Sequence, residues 1–346
     1  MLNSLYSGVS GLKGSQTKLD VIGNNIANVN TVGFKKGRVV FQDIMNKNIG
    51  GAVAPTGVRG GVNPMQIGLG SRIASVDTIH TPGSPMTTNV GTDLAIDGDA
   101  YFVVTPEYGG GTQYLTKAGN FTRDANGDLV NSNGYLVLGV YKDNLGNLFQ
   151  APINITDYNK PLTLADGYLD DGSGTGSVTD LSGNPTPYKV DGNGNIVDGN
   201  GDPVTKLVKF TSYSIDYNGY INVVDESGNS GKLAYDATND KYYLNNSAVN
   251  QDDNISVGTS VVLNPGGLKK VGNTLFEVTA NSGQPDFGRI EDNKGGQIIS
   301  GVLEMSNVDL TEEFTEMIIA QRGFQANART ITTSDSILEE IVNLKR

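Results

Sequence analysis

Carboxylates are the abundant reactive groups in this sequence, because its 346 residues include no cysteine and a single histidine. Asp97 and Asp99 stand nearest to an acid/base pair, inside Leu94-Ala-Ile-Asp-Gly-Asp-Ala-Tyr-Phe-Val-Val104. That stretch reads as strand, Asp-Gly turn, strand, where aspartates commonly bond their own backbone. Calcium is the second candidate. Phe121 to Leu129, Tyr188 to Ile196 and Tyr213 to Ile221 each carry an aromatic, an Asp three residues on, then Asn-Gly two and three further. Oxygen ligands at short spacing suit calcium, yet Asp191, Asn193 and Asn195 come nearest the loop signature and Ile196 stands where its Gly belongs. Asn-Gly hairpins with apolar flanks on one core explain the repeat. His80, alone in a polar loop, builds no two-histidine site. Gly172-Ser-Gly-Thr-Gly176 lacks the Gly-Lys-Ser/Thr and the following helix of a phosphate loop. No hydrolase, zinc-protease or dinucleotide motif occurs. No catalytic residue, cofactor or metal is expected, and the chain is not expected to be an enzyme.

Net charge is −12, which argues against a nucleic-acid partner, since phosphate binding needs clustered Lys and Arg. Lys35, Lys36 and Arg38 form the only basic cluster and read as a solvated loop. No apolar run is long enough to insert in a membrane. The start lacks a basic region followed by an apolar one, so no cleaved secretory signal is expected; a dedicated export apparatus stays open. The 46 glycines cluster with Asn and Asp, as in many tight turns.

The elements that must position any site are helices at the two ends with β-structure between them. Leu310, Phe314, Met317, Gln321, Phe324, Ala328, Ile331, Asp335, Leu338 and Val342 step by four and three, an a/d heptad seam. Asp309 can cap the first turn, with Glu312 reaching back as a capping box. Glu312, Glu313 and Glu316 complement one end of the helix dipole, Lys345 and Arg346 the other. About 35 residues at 1.5 Å each make a rod of roughly 50 Å, longer than a small domain covers. The seam fits a coiled coil or bundle; a helix buried in a globular core is the other reading. At the other end Leu5, Val9, Leu12, Gln16, Leu19 and Ile26 form a stripe, with Ile22 close to it. Beside it Ser4, Gly8, Gly11 and Ser15 form a small-residue stripe suited to tight helix packing. Gly8, Gly11, Gly14 and Gly23 each cost about 1 kcal/mol against alanine. This helix is therefore expected to form on assembly, unless it simply docks on its own domain. The two ends most simply pair with each other, and the seams left over, the small-residue stripe above all, are expected to need neighbouring copies. Head-to-tail contacts that do not close build filaments.

Between the ends, Gly23 to Phe34 should finish the first helix in Asn-rich turns. Residues 35–90 look extended, with Gly60 to Gly70 as a loop. Residues 150–206 read as a surface-facing subdomain or insertion. The expected class is mixed and mainly β: discontinuous β-domains in the middle of the chain, with N- and C-terminal α-helices paired in a coiled-coil-like core. The expected division is 1–34 with 301–346 as helical core, 35–145 with 264–300 as inner β-domain, and 146–263 as outer β-domain. A polymerising scaffold accounts for the paired heptads. An exported adhesin or glycan-binding β-protein is the rival and leaves them unexplained.

Ser4-Leu-Tyr-Ser-Gly-Val-Ser-Gly-Leu12 and the stretch Leu19 to Lys35, with Asn24, Asn25, Asn28, Thr31, Gly33 and Phe34, closely resemble the bacterial flagellar rod and hook proteins. So do Asp93 to Asp99, Asn264-Pro-Gly-Gly-Leu268 with Gly272-Asn273, Gly301 to Leu310, and Ala320-Gln-Arg-Gly-Phe-Gln-Ala-Asn327. Asn63-Pro-Met-Gln-Ile-Gly-Leu-Gly70 looks more like a hook than a distal rod protein; Ala100-Tyr101 departs from the usual Gly-aromatic. The resemblance implies export through the flagellar type III apparatus and polymerisation beneath a cap. The product would be the hook, a curved extracellular tube with a central channel that transmits torque from motor to filament. The alternative is a distal rod subunit of the basal body. The implied partners are further copies of the chain and the distal rod, hook cap and hook–filament junction proteins. The implied assembly seam comprises Leu5, Leu12, Leu19, Ile26, Phe314, Met317, Gln321, Phe324, Ala328, Ile331 and Leu338, with Gln321 and Asp335 as polar contacts between subunits. Deleting residues 150–260 should leave polymerisation largely intact and alter curvature or stiffness.

Overall fold

A computed structural model describes residues 2–55, 59–108, 111–142, 147–161, 169–170, 177–179, 185–190, 196–197, 205–236, 241–245 and 254–344. They are mainly β, with three α-helices: α1 (Leu2–Ala27), the single turn α2 (Ile290–Asn293) and α3 (Leu310–Leu344). Two compact units emerge, Met1–Ser84 with Met305–Arg346, and Pro85–Glu304.

In the first unit α1 and α3 run antiparallel, Gly8 beside Ile331, Gly11 beside Asn327 and Ser15 beside Gly323. The helix α1 also lies on an antiparallel ribbon of Gly37–Asp43 with Ser71–Thr78, where Phe41 fills the space left by Gly14. A second ribbon pairs Asn46–Gly50 with Met65–Gly68. Part of the expected 60–70 loop is therefore strand. Its residues are exposed on both faces, so the alternation that marks a half-buried strand is missing from its sequence. Residues 35–84 thus fall with the helices.

Among the described residues, the strands of the second unit pair antiparallel. In its largest sheet the strand Tyr101–Thr105 lies between Tyr114–Thr116 and Leu136–Lys142. Alternate residues of that strand serve two cores, as the pleat dictates. Phe102 and Val104 join Leu94, Phe121 and Val137, while Tyr101 and Val103 join Leu115 and Phe276. A five-stranded sheet runs in the order Asp157–Pro161, Thr205–Ile215, Ile221–Asp225, Ser230–Asp236, Lys241–Asn245. Its Ile215, Ile221, Val223 and Leu233 enter the same core as Phe102, together with Ile153 and Ile255. The middle segment is therefore no removable outer module, and deleting residues 150–260 would open the core of this unit.

The expected hairpin at Asp97-Gly98 is not formed. Leu94–Asp97 pairs instead with Gln297–Ser300, and Gly98, at φ +154°, meets the backbone of Gly295 and Gly296 where a Cβ would collide. The glycine serves a close backbone approach, not a turn. Asp97 and Asp99 are both exposed.

Of the three expected Asn-Gly turns, the two among the described residues form. The Asp124 carboxylate accepts the N–H groups of Asn126 and Asp128, both at 2.9 Å, and Asp216 those of Asn218 (3.0 Å) and Tyr220 (2.8 Å). Gly127 and Gly219 take φ of +91° and +81°. Asn131 and Asp225 build the same turn, with Gly134 and Gly228 in the left-handed region. These oxygens face N–H donors, the opposite of what a cation needs. Asp191, Asn193, Asn195 and Gly172 to Gly176 lie outside the described residues.

Candidate assembly surface

The helix α3 starts at Asp309, whose carboxylate accepts the N–H of Thr311 at 2.8 Å and of Glu312 at 3.4 Å. Those backbone bonds hold its pKa below the ordinary carboxylate value. The Glu312 side chain turns away from the expected capping box and takes Lys36 Nζ at 2.7 Å. Glu313 lies 4.0 Å from the same ammonium, and Glu316 pairs with Lys18 of α1. Lys35 is buried and donates to the Thr81 carbonyl at 2.8 Å. Of the basic cluster read as a solvated loop, Lys36 thus joins an ion-pair network with the first turn of α3. Its acidic partner Glu312 lies 276 residues further along the chain, where no local pattern could announce it.

The two helices meet over small residues. A Cβ on Gly8 would stand 3.0 Å from Ile331 Cγ1, and one on Gly11 2.6 Å from Asn327 Nδ2. On α3 the most buried residues are Glu313, Ala320 and Ser334, and with Asn327 they step by seven. Beside the first turn of α3 a cavity of about 330 Å³ is lined by Lys18, Ile22, Asn25, Lys36, Glu313 and Glu316.

Apolar side chains lie uncovered on both flanks of that contact. At about 100° per residue, Leu310, Phe314 and Ile318 follow one flank, and Ile319 and Ile337 the other, while Ile341 continues the column of Ser334; all six are exposed. A monomer rarely leaves so much apolar surface in water. Ile49, Met65 and Ile67 on the second ribbon, and Met45 just before it, are exposed as well.

Residues 5–35 match the family model described as "Flagella basal body rod protein", and residues 299–344 that described as "Flagellar basal body rod FlgEFG protein C-terminal". Residues 95–168 match the "Flagellar hook protein FlgE/F/G D1 domain". The chain is 40% identical over 347 aligned residues, covering all of both chains, to the flagellar basal-body rod protein FlgG of Bacillus subtilis. It is 35% identical over 446 to the flagellar hook protein FlgE of Borreliella burgdorferi and 32% over 469 to that of Treponema pallidum, again covering both chains fully. The chain belongs to the flagellar hook and rod protein family. It is a structural protein of the bacterial flagellum.

In this hook and rod family chain the residues singled out by sequence divide into three sets. Leu5, Leu12, Leu19, Ile26, Met317, Ala328, Ile331 and Leu338 are half-buried, whereas Phe314 (50% exposed), Gln321, Phe324 (39% exposed) and Asp335 face outward. The contact with α1 uses the column Glu313, Ala320, Asn327 and Ser334, one residue before the apolar-weighted column Phe314, Gln321, Ala328 and Asp335. The small-residue stripe is occupied within the chain: Gly8 is buried, Gly11 and Ser15 half-buried against α3, and Ser4 exposed. Gly8, Gly11 and Ser15 therefore face α3 of the same chain, against Ile331, Asn327 and Gly323, and not a neighbouring copy.

The Asn-rich turn closes α1 locally. The Asn28 amide donates to the Asn24 carbonyl at 2.9 Å, Thr31 donates to Asn28 Oδ1 at 3.1 Å, and Gly33 takes φ +69°. Asn24 is exposed, and Phe34 is half-buried. Asn25 is different: only 2% exposed, it bonds across to Gly37 and Glu313. Sequence reasoning missed Glu313, Asn327, Lys18 and Lys36. The signal available for Glu313 and Asn327 was a seven-residue column of small and polar residues on α3; Lys18 and Lys36 carried none.

Proposed function

We propose that this chain is the subunit of the flagellar hook, polymerising through its terminal helices into a tube with a central channel. The carrying observation is the apolar surface on both flanks of α3, which a monomer leaves in water and neighbouring copies would cover. The helix pair then forms the firm inner wall that carries torque, and the acidic second units form sliding outer contacts. Export through the flagellar type III apparatus, an extracellular position, and contact with distal rod, hook cap and hook–filament junction proteins follow from this reading. So does the absence of any enzymatic role.

A distal rod subunit is the second reading. It is favoured by the 40% identity, with almost no length difference in the alignment, to a protein named as rod, while alignments to the hook relatives run well beyond this chain. Electron microscopy of the assembled protein decides. Curved tubes support the hook, short straight ones the rod, and a protein that stays monomeric under all conditions overturns both.

A further inference from the structure

Asn25 and Glu313 meet where α1, α3 and the strand Gly37–Asp43 converge. Glu313 is 6% exposed, and its Oε2 accepts Asn25 Nδ2–H at 3.1 Å. The other Nδ2–H donates to the Gly37 carbonyl at 2.9 Å, and Oδ1 accepts the Gly37 N–H at 2.9 Å. The ribbon thus clamps the amide on both sides and aims its second N–H at one height on α3. The rest of the helix contact carries one other polar pair, Lys18 with Glu316, whose side chains are 28% and 42% exposed and so hold the register less firmly than a buried pair. Ser4, Gly8, Gly11 and Ser15 are small throughout, so shape alone would let α3 slide by a heptad, roughly 10 Å.

We propose that the Asn25–Glu313 pair sets the register of α1 against α3, and that this register fixes the height at which one copy presents its apolar flanks to the next. In a slipped pair Ala320 would face Asn25, and Glu313 would lose both its amide partner and Lys36. A buried carboxylate stripped of its partners is strongly disfavoured, and buried polar groups in coiled coils select register in this way. Only the consequence for neighbouring copies rests on the proposed polymerisation; the register itself belongs to the single chain.

The chain has no cysteine, so cross-linking can read the register directly in the full-length monomer. Ser15→Cys with Gly323→Cys reports the observed register, because a Cβ on Gly323 would lie 3.6 Å from Ser15 Oγ. Ser15→Cys with Thr330→Cys reports a slip of one heptad. The unaltered pair and Glu313→Gln, which keeps an acceptor, should give the first cross-link alone. Glu313→Leu should lower it severalfold and yield the second. Unchanged cross-linking in Glu313→Leu overturns the proposal. Should that variant lose its helical circular dichroism, Asn25→Asp decides, since it opposes two carboxylates. Its first cross-link should fall and be restored by adding Glu313→Gln, and a native pattern in Asn25→Asp alone overturns the proposal. A protein that never polymerises would overturn the proposed function while leaving these cross-links interpretable.

Discussion

The Asn327 carboxamide lies flat on Gly11, so that a Cβ there would stand 2.6 Å from Nδ2, 3.0 Å from Cγ and 3.1 Å from Oδ1. The whole amide would have to move to admit one methyl group. Gly23, on the same helix, has nothing within 4 Å of its would-be Cβ. The two positions therefore separate helix propensity from packing. Gly23→Ala should stabilise α1 by up to about 1 kcal/mol. Gly11→Ala gains the same propensity but overpacks the contact, which costs about 1–3 kcal/mol, so a net loss is expected. Thermal unfolding followed by helical circular dichroism checks both signs. A Gly11→Ala variant as stable as Gly23→Ala would mean the helices do not approach this closely.

Phe314 and Leu12 test the uncovered flank against the helix pair. Phe314 is half exposed in the monomer, whereas Leu12 is half-buried on α1. Phe314→Asp should leave monomer helicity intact and cut polymer yield by more than about tenfold, the effect of roughly 1.4 kcal/mol at a subunit contact. Leu12→Asp should lower both helicity and polymer yield. Sedimentation read beside circular dichroism distinguishes them. Normal polymer from Phe314→Asp would exclude that flank from assembly.

Local signals in the sequence predicted local structure well. The heptads marked both helices, and the Asx-Gly pattern marked Gly127 and Gly219 because each turn closes within five residues. Three features escaped because their partners are distant in sequence. Lys35 and Lys36 read as solvated until Thr81 and the first turn of α3 supplied partners. Leu94–Asp97 read as half of a hairpin although its partner is Gln297–Ser300. One column of the α3 seam was placed a residue late, because apolar weight pointed at Phe314 and Gln321 stood in its column, whereas Ile331 of the other column does lie against Gly8. The helix turns Glu313, Asn327 and Ile331 to its mate and leaves Phe314 and Phe324 exposed.

The Asp-x-Asn-Gly turn makes a separate prediction for the second unit. Asp216 ties the N–H groups of Asn218 and Tyr220 and so places Ile221 in the core. Asp216→Ala loses two hydrogen bonds and should destabilise the unit by about 1–2 kcal/mol. Asn218→Ala, which keeps its backbone N–H, should change stability by less than about 0.5 kcal/mol. Urea unfolding with tyrosine fluorescence compares the two. Equal effects would mean the carboxylate does not organise the turn.

Asp309 gives the helix start a pH dependence whose sign follows from its bonds. The N–H groups of Thr311 and Glu312 lower its pKa in the folded chain relative to the unfolded one. The folded state therefore holds the ionised carboxylate more tightly. This contribution is complete above the ordinary aspartate pKa and is lost as pH falls through the depressed folded value. Asparagine also caps helices but does not titrate in this range. Helicity of Asp309→Asn should match the unaltered chain at neutral pH and fall less steeply on acidification. The difference between the two acid titrations isolates Asp309 from the other carboxylates, since both chains share them. Superimposable titrations would show that the cap contributes no acid sensitivity.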